Sequence, residues 1–226
     1  MRLFQGVERL GKITGVQLVT FDMDGTLIDD EWAHEQAKAE IAHSIGADGD
    51  LDLSAYTGRS NRKFWQHILD KFGLCGDVDD LTERQFRRVL ELCIEKQQPA
   101  SYGLTEAVKH LRAKGIKVAI TSGSDEHFVD EILELLNLAP YFDVKVSKEH
   151  VKEVKPSPDI YLKALEFAGV SAEHAIGVED SNSGCSALHA AGMRCIGYTN
   201  QGANPQSLAE ADRKIATMFE LIEMVD

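Results

Sequence analysis

Short apolar runs alternate along the chain with stretches of helical spacing. The runs VQLVTF (16–21), KVAIT (117–121), VKV (144–146), AIGV (175–178) and RCIGY (194–198) have the length and branching of buried strands. Between them, EHFVDEILELLNL (126–138), PDIYLKALEFAG (158–169) and NSGCSALHAAG (182–192) repeat apolar residues at helical intervals. Gly169 and Gly192 close two of these helices, where a left-handed residue is favoured, and Ser157–Pro158 reads as an N-cap followed by a first-turn proline. Repeated strand–helix alternation predicts an α/β fold, a Rossmann-like parallel sheet with helices on both faces.

One region departs from the alternation. From about Ala33 to Ala100 no strand signal appears, while HEQAKAEIAHSIG, NRKFWQHILDKFG and TERQFRRVLELCIEK all carry helical periodicity. The pattern predicts an all-helical domain, residues 33–100, inserted into a core made of 1–32 and 101–226. It is expected to sit as a cap over the carboxyl ends of the strands; the alternative is a helical extension packed elsewhere. Residues 1–15 carry no legible role.

The strand ends change the picture from fold to chemistry. Ligands on an open parallel sheet bind outside the carboxyl ends of the strands. The first run delivers Asp22 and Asp24, the second Thr121, Ser122, Gly123 and Ser124, the third is followed by Lys155, and the fourth runs into Glu179 and Asp180. Parallel strands end on one edge, so these residues are expected to converge. Clustered carboxylates suit a hard divalent cation, and an all-oxygen set with octahedral demand favours Mg²⁺. A serine hydroxyl, backbone amides near Gly123 and a lysine ammonium would hold an anion beside it. Cation and anion cradle together describe phosphoryl transfer, in which one aspartate can attack phosphorus and its neighbour can carry a proton. A calcium loop is the rival reading of Asp22–Asp24, but an EF-hand places its glycine sixth, after a helix. Here Gly25 is the fourth residue counted from Asp22, after a strand.

Charge and composition narrow the partners. The chain of 226 residues has 37 acidic against 24 basic residues, a formal net charge of −13, which argues against broad contact with nucleic acid or an anionic membrane. The opening MRLFQGVERLGKITG has no export-signal pattern and no run is long enough to span a bilayer, so a cytoplasmic location is expected. The sequence does not decide the oligomeric state, of which a monomer is the favoured reading. Cys75, Cys93, Cys185 and Cys195 form no CxxC pair and are expected as buried free thiols. No G-x-G-x-x-G follows the first strand and no Walker A lysine appears, which sets a dinucleotide oxidoreductase aside.

In DMDGT (22–26), a strand ending at Ser122, KPSPDIY (155–161) and GVEDS (177–181), taken in order, the chain resembles the haloacid-dehalogenase-like superfamily. The resemblance spans about residues 16 to 200, and the nearest branch is the one with a helical cap that contains β-phosphoglucomutase and many sugar-phosphate phosphatases. It implies Asp22 as nucleophile and Mg²⁺ ligand, and Asp24 as general acid/base whose backbone carbonyl also binds the metal. It implies Ser122 and the Gly123 amide on the transferred phosphoryl group, and Lys155 bridging that group to Asp22. Asp180 would be a metal ligand, with Glu179 as ligand or support. Asp24 argues for phosphate esters, because true dehalogenases of the superfamily lack an aspartate there. No cap lysine (Lys38, Lys63, Lys71, Lys96) can be assigned the Schiff-base role of the phosphonate-cleaving members.

In the insert, His34 lies ten residues after Asp24, as does a histidine of β-phosphoglucomutase that assists proton transfer; a hinge-packing role is the alternative. TGRSNRKF (57–64) resembles the branch's substrate-selecting loop and makes Arg59, Asn61 and Arg62 candidate substrate contacts, with Ser124 a further one from the core. The mutase pattern has an arginine where Asn61 stands. Trp32 and Trp65 read as packing residues. The expectation is a Mg²⁺-dependent phosphatase of a small phosphorylated metabolite, a sugar or polyol phosphate. A phosphoglucomutase-like enzyme is the rival within the fold, and a catalytically silent binding protein the rival outside it.

Overall fold

The computed structural model describes residues 12–49, 51 and 61–226. Six strands, β1 (Leu18–Phe21), β2 (Lys117–Thr121), β3 (Val144–Val146), β4 (Ala175–Glu179), β5 (Arg194–Tyr198) and β6 (Arg213–Ile215), form one sheet in the order β3-β2-β1-β4-β5-β6. Every pairing is parallel. All residues of β1 and β4 are buried, as strands covered on both faces must be. Helices α1 (Glu31–Ser44), α2 (Asn61–Phe72), α3 (Val78–Glu95), α4 (Leu104–Ala113), α5 (Glu126–Leu135), α6 (Asp159–Ala168), α7 (Asn182–Ala190) and α8 (Met218–Met224) complete the described elements.

Register sets the site. Phe21 of β1 pairs with Ile120 of β2 and with Val178 of β4, so the residues that follow, Asp22, Thr121 and Glu179, leave the sheet at one level. β1 and β4 are also where the strand order reverses, the crevice in which open α/β sheets bind ligands.

The predicted strands at 117–121, 144–146 and 194–198 match the structure residue for residue, and β4 runs one residue longer, to Glu179. Three elements carried no usable signal. β6 is a polar edge strand in which only Ile215 is buried, and α4 and α8 lie against each other outside the alternating pattern. The expected Ser157 cap is corrected: Pro158 occupies the N-cap position and the Ser157 hydroxyl donates to Asp159 Oδ1 at 2.9 Å instead. Gly169 is the left-handed C-cap of α6, as expected. Cys75 is exposed, against expectation, while Cys93, Cys185 and Cys195 are buried; all four are free thiols. Among the described residues no helix is long and apolar enough to cross a membrane.

Between β1 and β2 every described element up to Glu95 is helical. Ile41, Ala42, Phe64, Trp65, Ile68, Leu69 and Leu81 close a small apolar cluster within these helices. The opposite face of the same helices, with Ala33, Ala37, Phe86, Val89 and Leu92, merges into the cluster that holds Phe21 and Phe128 of the core. The chain leaves and returns at one point: Ile28 bridges Ala100, and Ser101 N–H donates to the Leu27 carbonyl at 2.8 Å.

Close backbone approach fixes where α7 lies. A Cβ on Gly177 of β4 would overlap the branched end of Leu188 of α7. Gly177→Ala is therefore expected to cost about 1–3 kcal/mol through overpacking, read as a lower urea midpoint at unchanged slope.

Candidate active site

Strand ends place the core candidates Asp22, Ser122, Glu179 and Asp180, and Lys155 comes from the loop between β3 and α6. Asp22 N–H continues the sheet by donating to the Val178 carbonyl at 3.0 Å, which sets the carboxylate at the mouth of the β1/β4 crevice. The chain then turns back on itself: the amides of Thr26 and Leu27 donate to the Met23 carbonyl, at 3.1 and 2.8 Å. Gly25 sits in this turn at φ +76°, and a Cβ there would overlap the Asp180 carboxylate. Glycine is needed on both counts, for the left-handed backbone and for the approach of the loop after β1 to the end of β4.

Lys155 joins the two halves. Its ammonium forms an ion pair with Asp22, lies 2.6 Å from Glu179 Oε1, and donates to the Thr121 carbonyl at 3.3 Å. Glu179 is fully buried and ringed by donors: the Tyr161 hydroxyl at 2.5 Å, the Ser181 hydroxyl at 2.9 Å and the Ser181 amide at 3.2 Å. Gly184 makes room for it, because a Cβ at the start of α7 would overlap the Glu179 carboxylate. Lys155 also lies over the Tyr161 ring, 5.2 Å from its centre. On the other flank Ser122 is fully buried, its Oγ accepting from the Ser124 amide at 3.0 Å, while Gly123 between them is exposed. The Ser124 hydroxyl donates to Asp24 Oδ2 at 3.3 Å.

The electrostatics follow from crowding acids in a buried place. The Asp22 pKa is pushed up to about 8, first by burial and then by the neighbouring Glu179 charge, against the opposing pull of Lys155. Asp180 is raised well above the usual carboxylate range by burial and by Asp22. Burial pulls the Lys155 ammonium down, but Asp22 and Glu179 outweigh it and hold the group well above an ordinary lysine. Asp22, Glu179 and Asp180 each offer an oxygen within 4.8 Å of the others. Among the described residues Asp180 has no cation within ion-pair distance. An all-oxygen set short of positive charge fits a hard divalent cation.

The insert contributes unequally. His34 Nε2 lies 3.9 Å from Asp24 Oδ1, so this residue does reach the core carboxylates. Burial lowers its pKa to about 4 and keeps the ring neutral, against the attraction of Asp24. Asn61 Oδ1 accepts from Gln85 Nε2 at 3.2 Å. Arg62 is exposed and ion-paired to Asp79, so the structure does not bring it to the cluster. Arg59 lies outside the described residues. Trp65 is fully buried, as a packing residue should be, but its indole N–H also donates to Gln85 Oε1 at 2.9 Å.

Four residues of the site were not singled out from sequence. Tyr161 lies within the quoted KPSPDIY, yet nothing in the spacing pairs it with Glu179. Asn204 anchors the loop after β4 by donating to the Asp180 carbonyl at 2.6 Å and the Tyr198 carbonyl at 3.1 Å. Asp30 and Gln85 are buried polar residues beside His34. For Asp30 an acid just before a helix reads as a cap, and only the absence of a side-chain cap bond reveals otherwise.

Comparison with known proteins agrees with this geometry. The family model of haloacid dehalogenase-like hydrolases matches residues 16–192. The chain is 31% identical over 201 residues to a phosphorylated carbohydrates phosphatase of Thermotoga maritima, covering 87% of this chain and 91% of that protein. It is also 32% identical over 185 residues to the chloroplastic protein SUPPRESSOR OF QUENCHING 1 of Arabidopsis thaliana; the match covers 80% of this chain but only 18% of that much longer protein. Among solved structures, a mutant of CbbY from Rhodobacter sphaeroides, in complex with xylulose-(1,5)bisphosphate, superposes with a TM-score of 0.81 at 26% identity, covering 93% of this chain and 100% of that one. The chain belongs to the haloacid dehalogenase-like hydrolases.

The raised Asp22 pKa has a consequence for stability. Between its ordinary 3.8 and about 8, the native cation-free chain holds a proton that the unfolded chain has released, so this group lowers stability as pH rises through that window. Asp22→Asn removes the effect. In EDTA, the stability of Asp22→Asn relative to wild type is expected to grow from about pH 4 to about pH 8 and then level, measured by urea unfolding at each pH. A difference that does not change with pH would contradict the assignment.

Proposed function

We propose that the chain is a Mg²⁺-dependent phosphatase acting on a small phosphorylated metabolite, a sugar or polyol phosphate, through a phospho-aspartate on Asp22. One observation carries the reading: the Lys155 ammonium contacts both Asp22 and Glu179 where β1 and β4 end, in the crevice where Asp180 also offers an oxygen. The relationship to a phosphatase of phosphorylated carbohydrates supports the substrate class.

An Asp22 carboxylate oxygen attacks phosphorus, and the bond from phosphorus to the ester oxygen breaks. Asp24, as a carboxylic acid, gives its proton to that leaving oxygen, releasing the alcohol. The Asp24 carboxylate then takes a proton from a water molecule attacking the phospho-aspartate. The Asp22 oxygen–phosphorus bond breaks, inorganic phosphate leaves, and both aspartates return to their starting states. Lys155 and Ser122, with the Gly123 amide, hold the phosphoryl oxygens throughout. Asp22, Asp180 and the Asp24 carbonyl would hold Mg²⁺, which would supply neutralising charge to the phosphoryl group and to the attacking carboxylate. Glu179, its oxygens already engaged by Lys155, Tyr161 and Ser181, supports the lysine. Residues 33–100 act as the cap that excludes bulk water, hinged where Ile28 meets Ala100.

Asp22→Asn is expected to reduce phosphate release to background with the circular dichroism spectrum unchanged. Asp24→Asn should lower kcat by about 10²–10⁴-fold and slow both formation and hydrolysis of the phospho-enzyme. EDTA should abolish activity and Mg²⁺ restore it. A time course of free phosphate against sugar isomer, with a panel of phosphorylated metabolites, separates hydrolysis from mutase chemistry: isomer without net phosphate would overturn the phosphatase reading.

A further inference from the structure

The helical insert contains a buried polar chain that ends at Asp24. Trp65 and Gln85 are both fully buried. The Trp65 indole N–H donates to Gln85 Oε1 at 2.9 Å. The Gln85 amide nitrogen faces His34 Nδ1 at 2.9 Å and Asn61 Oδ1 at 3.2 Å. Across the ring, His34 Nε2 faces Asp24 Oδ1 at 3.9 Å and Asp30 Oδ2 at 3.7 Å. The ring is wedged edge-to-face against Phe86 and Phe128, each 6.1 Å away between centres.

Donor chemistry then decides where the imidazole proton lies. An indole nitrogen only donates, so the oxygen of Gln85 must turn towards Trp65 and its NH₂ towards His34. The reverse orientation would bury an indole N–H against amide hydrogens, the costly case of an unmet donor. An amide NH₂ also only donates, so His34 Nδ1 must present a lone pair. The ring therefore carries its one proton on Nε2, the atom aimed at Asp24 and Asp30.

We propose that Gln85, held by Trp65, is a positioning residue that fixes His34 as its Nε2–H tautomer, so that the cap presents a hydrogen-bond donor to Asp24. This rests on Asp24 being the acid/base. Asp24 Oδ1, Asp30 Oδ1 and Oδ2, and His34 Nε2 are all buried with no hydrogen bond of good geometry, and burial with the neighbouring Asp24 pushes the Asp30 carboxyl well above the usual range, so the donor is directed at two crowded acids. The Asp24 side chain is 39% exposed and is held on Oδ2 by the Ser124 hydroxyl, which leaves Oδ1 facing the ring across 3.9 Å. Once Oδ1 accepts from His34, Oδ2, beside the Ser124 hydroxyl, is the oxygen left to exchange a proton with the leaving group. Asp30 is the N-cap residue of α1, yet its side chain makes no cap bond and faces His34, one turn along the helix, across this gap.

The tautomer is read from the ring nitrogen shifts of ¹⁵N-histidine-labelled protein, with His34 assigned by its loss in His34→Gln. The wild type should show a protonated Nε2 and an unprotonated Nδ1. Gln85→Glu keeps an oxygen for Trp65 but turns a second oxygen towards His34, and should move the proton to Nδ1. It should lower kcat about tenfold or more, while half-saturating Mg²⁺ changes less than about twofold. A wild-type ring protonated on Nδ1 would overturn the proposal even if the variant failed to fold. A shifted tautomer with unchanged kcat would overturn the positioning role. The spectrum needs no turnover, so a wild type without phosphatase activity would count against the functional reading alone.

Discussion

Three carboxylates meet where β1 and β4 leave the sheet, and among the described residues one cation, the Lys155 ammonium, is in ion-pair contact with any of them. In a buried place like charges a few ångströms apart repel strongly, and each acid is pushed towards its neutral form. Lys155 relieves Asp22 and Glu179 at once, which explains why the surrounding groups are arranged to hold that lysine. Tyr161 and Ser181 orient Glu179, and Glu179 in turn fixes the ammonium. Among the described residues Asp180 has no such partner, and the oxygens of Asp22, Glu179 and Asp180 together could hold a cation.

The backbone yields to the same constraint. Gly25 and Gly184 lie where a methyl group would occupy the space of the Asp180 and Glu179 carboxylates. The strand–turn and strand–helix junctions can close around the acids only because these positions carry no side chain. Gly177 performs the matching task below the site, letting α7 lie flat on β4 so that its first turn begins beside Glu179.

The helical insert is joined to this centre by more than its two linkers. Its inner face shares an apolar cluster with Phe21 and Phe128, and its buried polar chain runs from Trp65 through Gln85 to His34 beside Asp24. Movement of the insert at the Ile28–Ala100 bridge would thus carry a hydrogen-bond donor as well as a hydrophobic wall. Arg62 is paired to Asp79 on the exposed side of the insert, while Asn61 faces inward and accepts from Gln85.

Much of this was legible in the sequence. Buried parallel strands are short and apolar, so β2, β3 and β5 could be read to the residue, and strand ends on one edge led to the expectation that Asp22, Ser122, Lys155 and Asp180 converge. Contacts in the structure join Asp22, Lys155 and Glu179, with Asp180 close by. Polar and local cues misled or fell silent where tertiary contacts override them. β6 is three residues long with a single buried apolar side chain, Ile215, so it carries no strand pattern, and Ser157 gives its hydroxyl to Asp159 rather than to the helix. Which cation compensates which acid, which histidine nitrogen holds the proton, and which polar residues of the insert face inward were decided only in three dimensions. Those choices depend on distances between side chains far apart in the chain, and a hydrogen-bond donor has no identity as a partner until folding brings an acceptor to it.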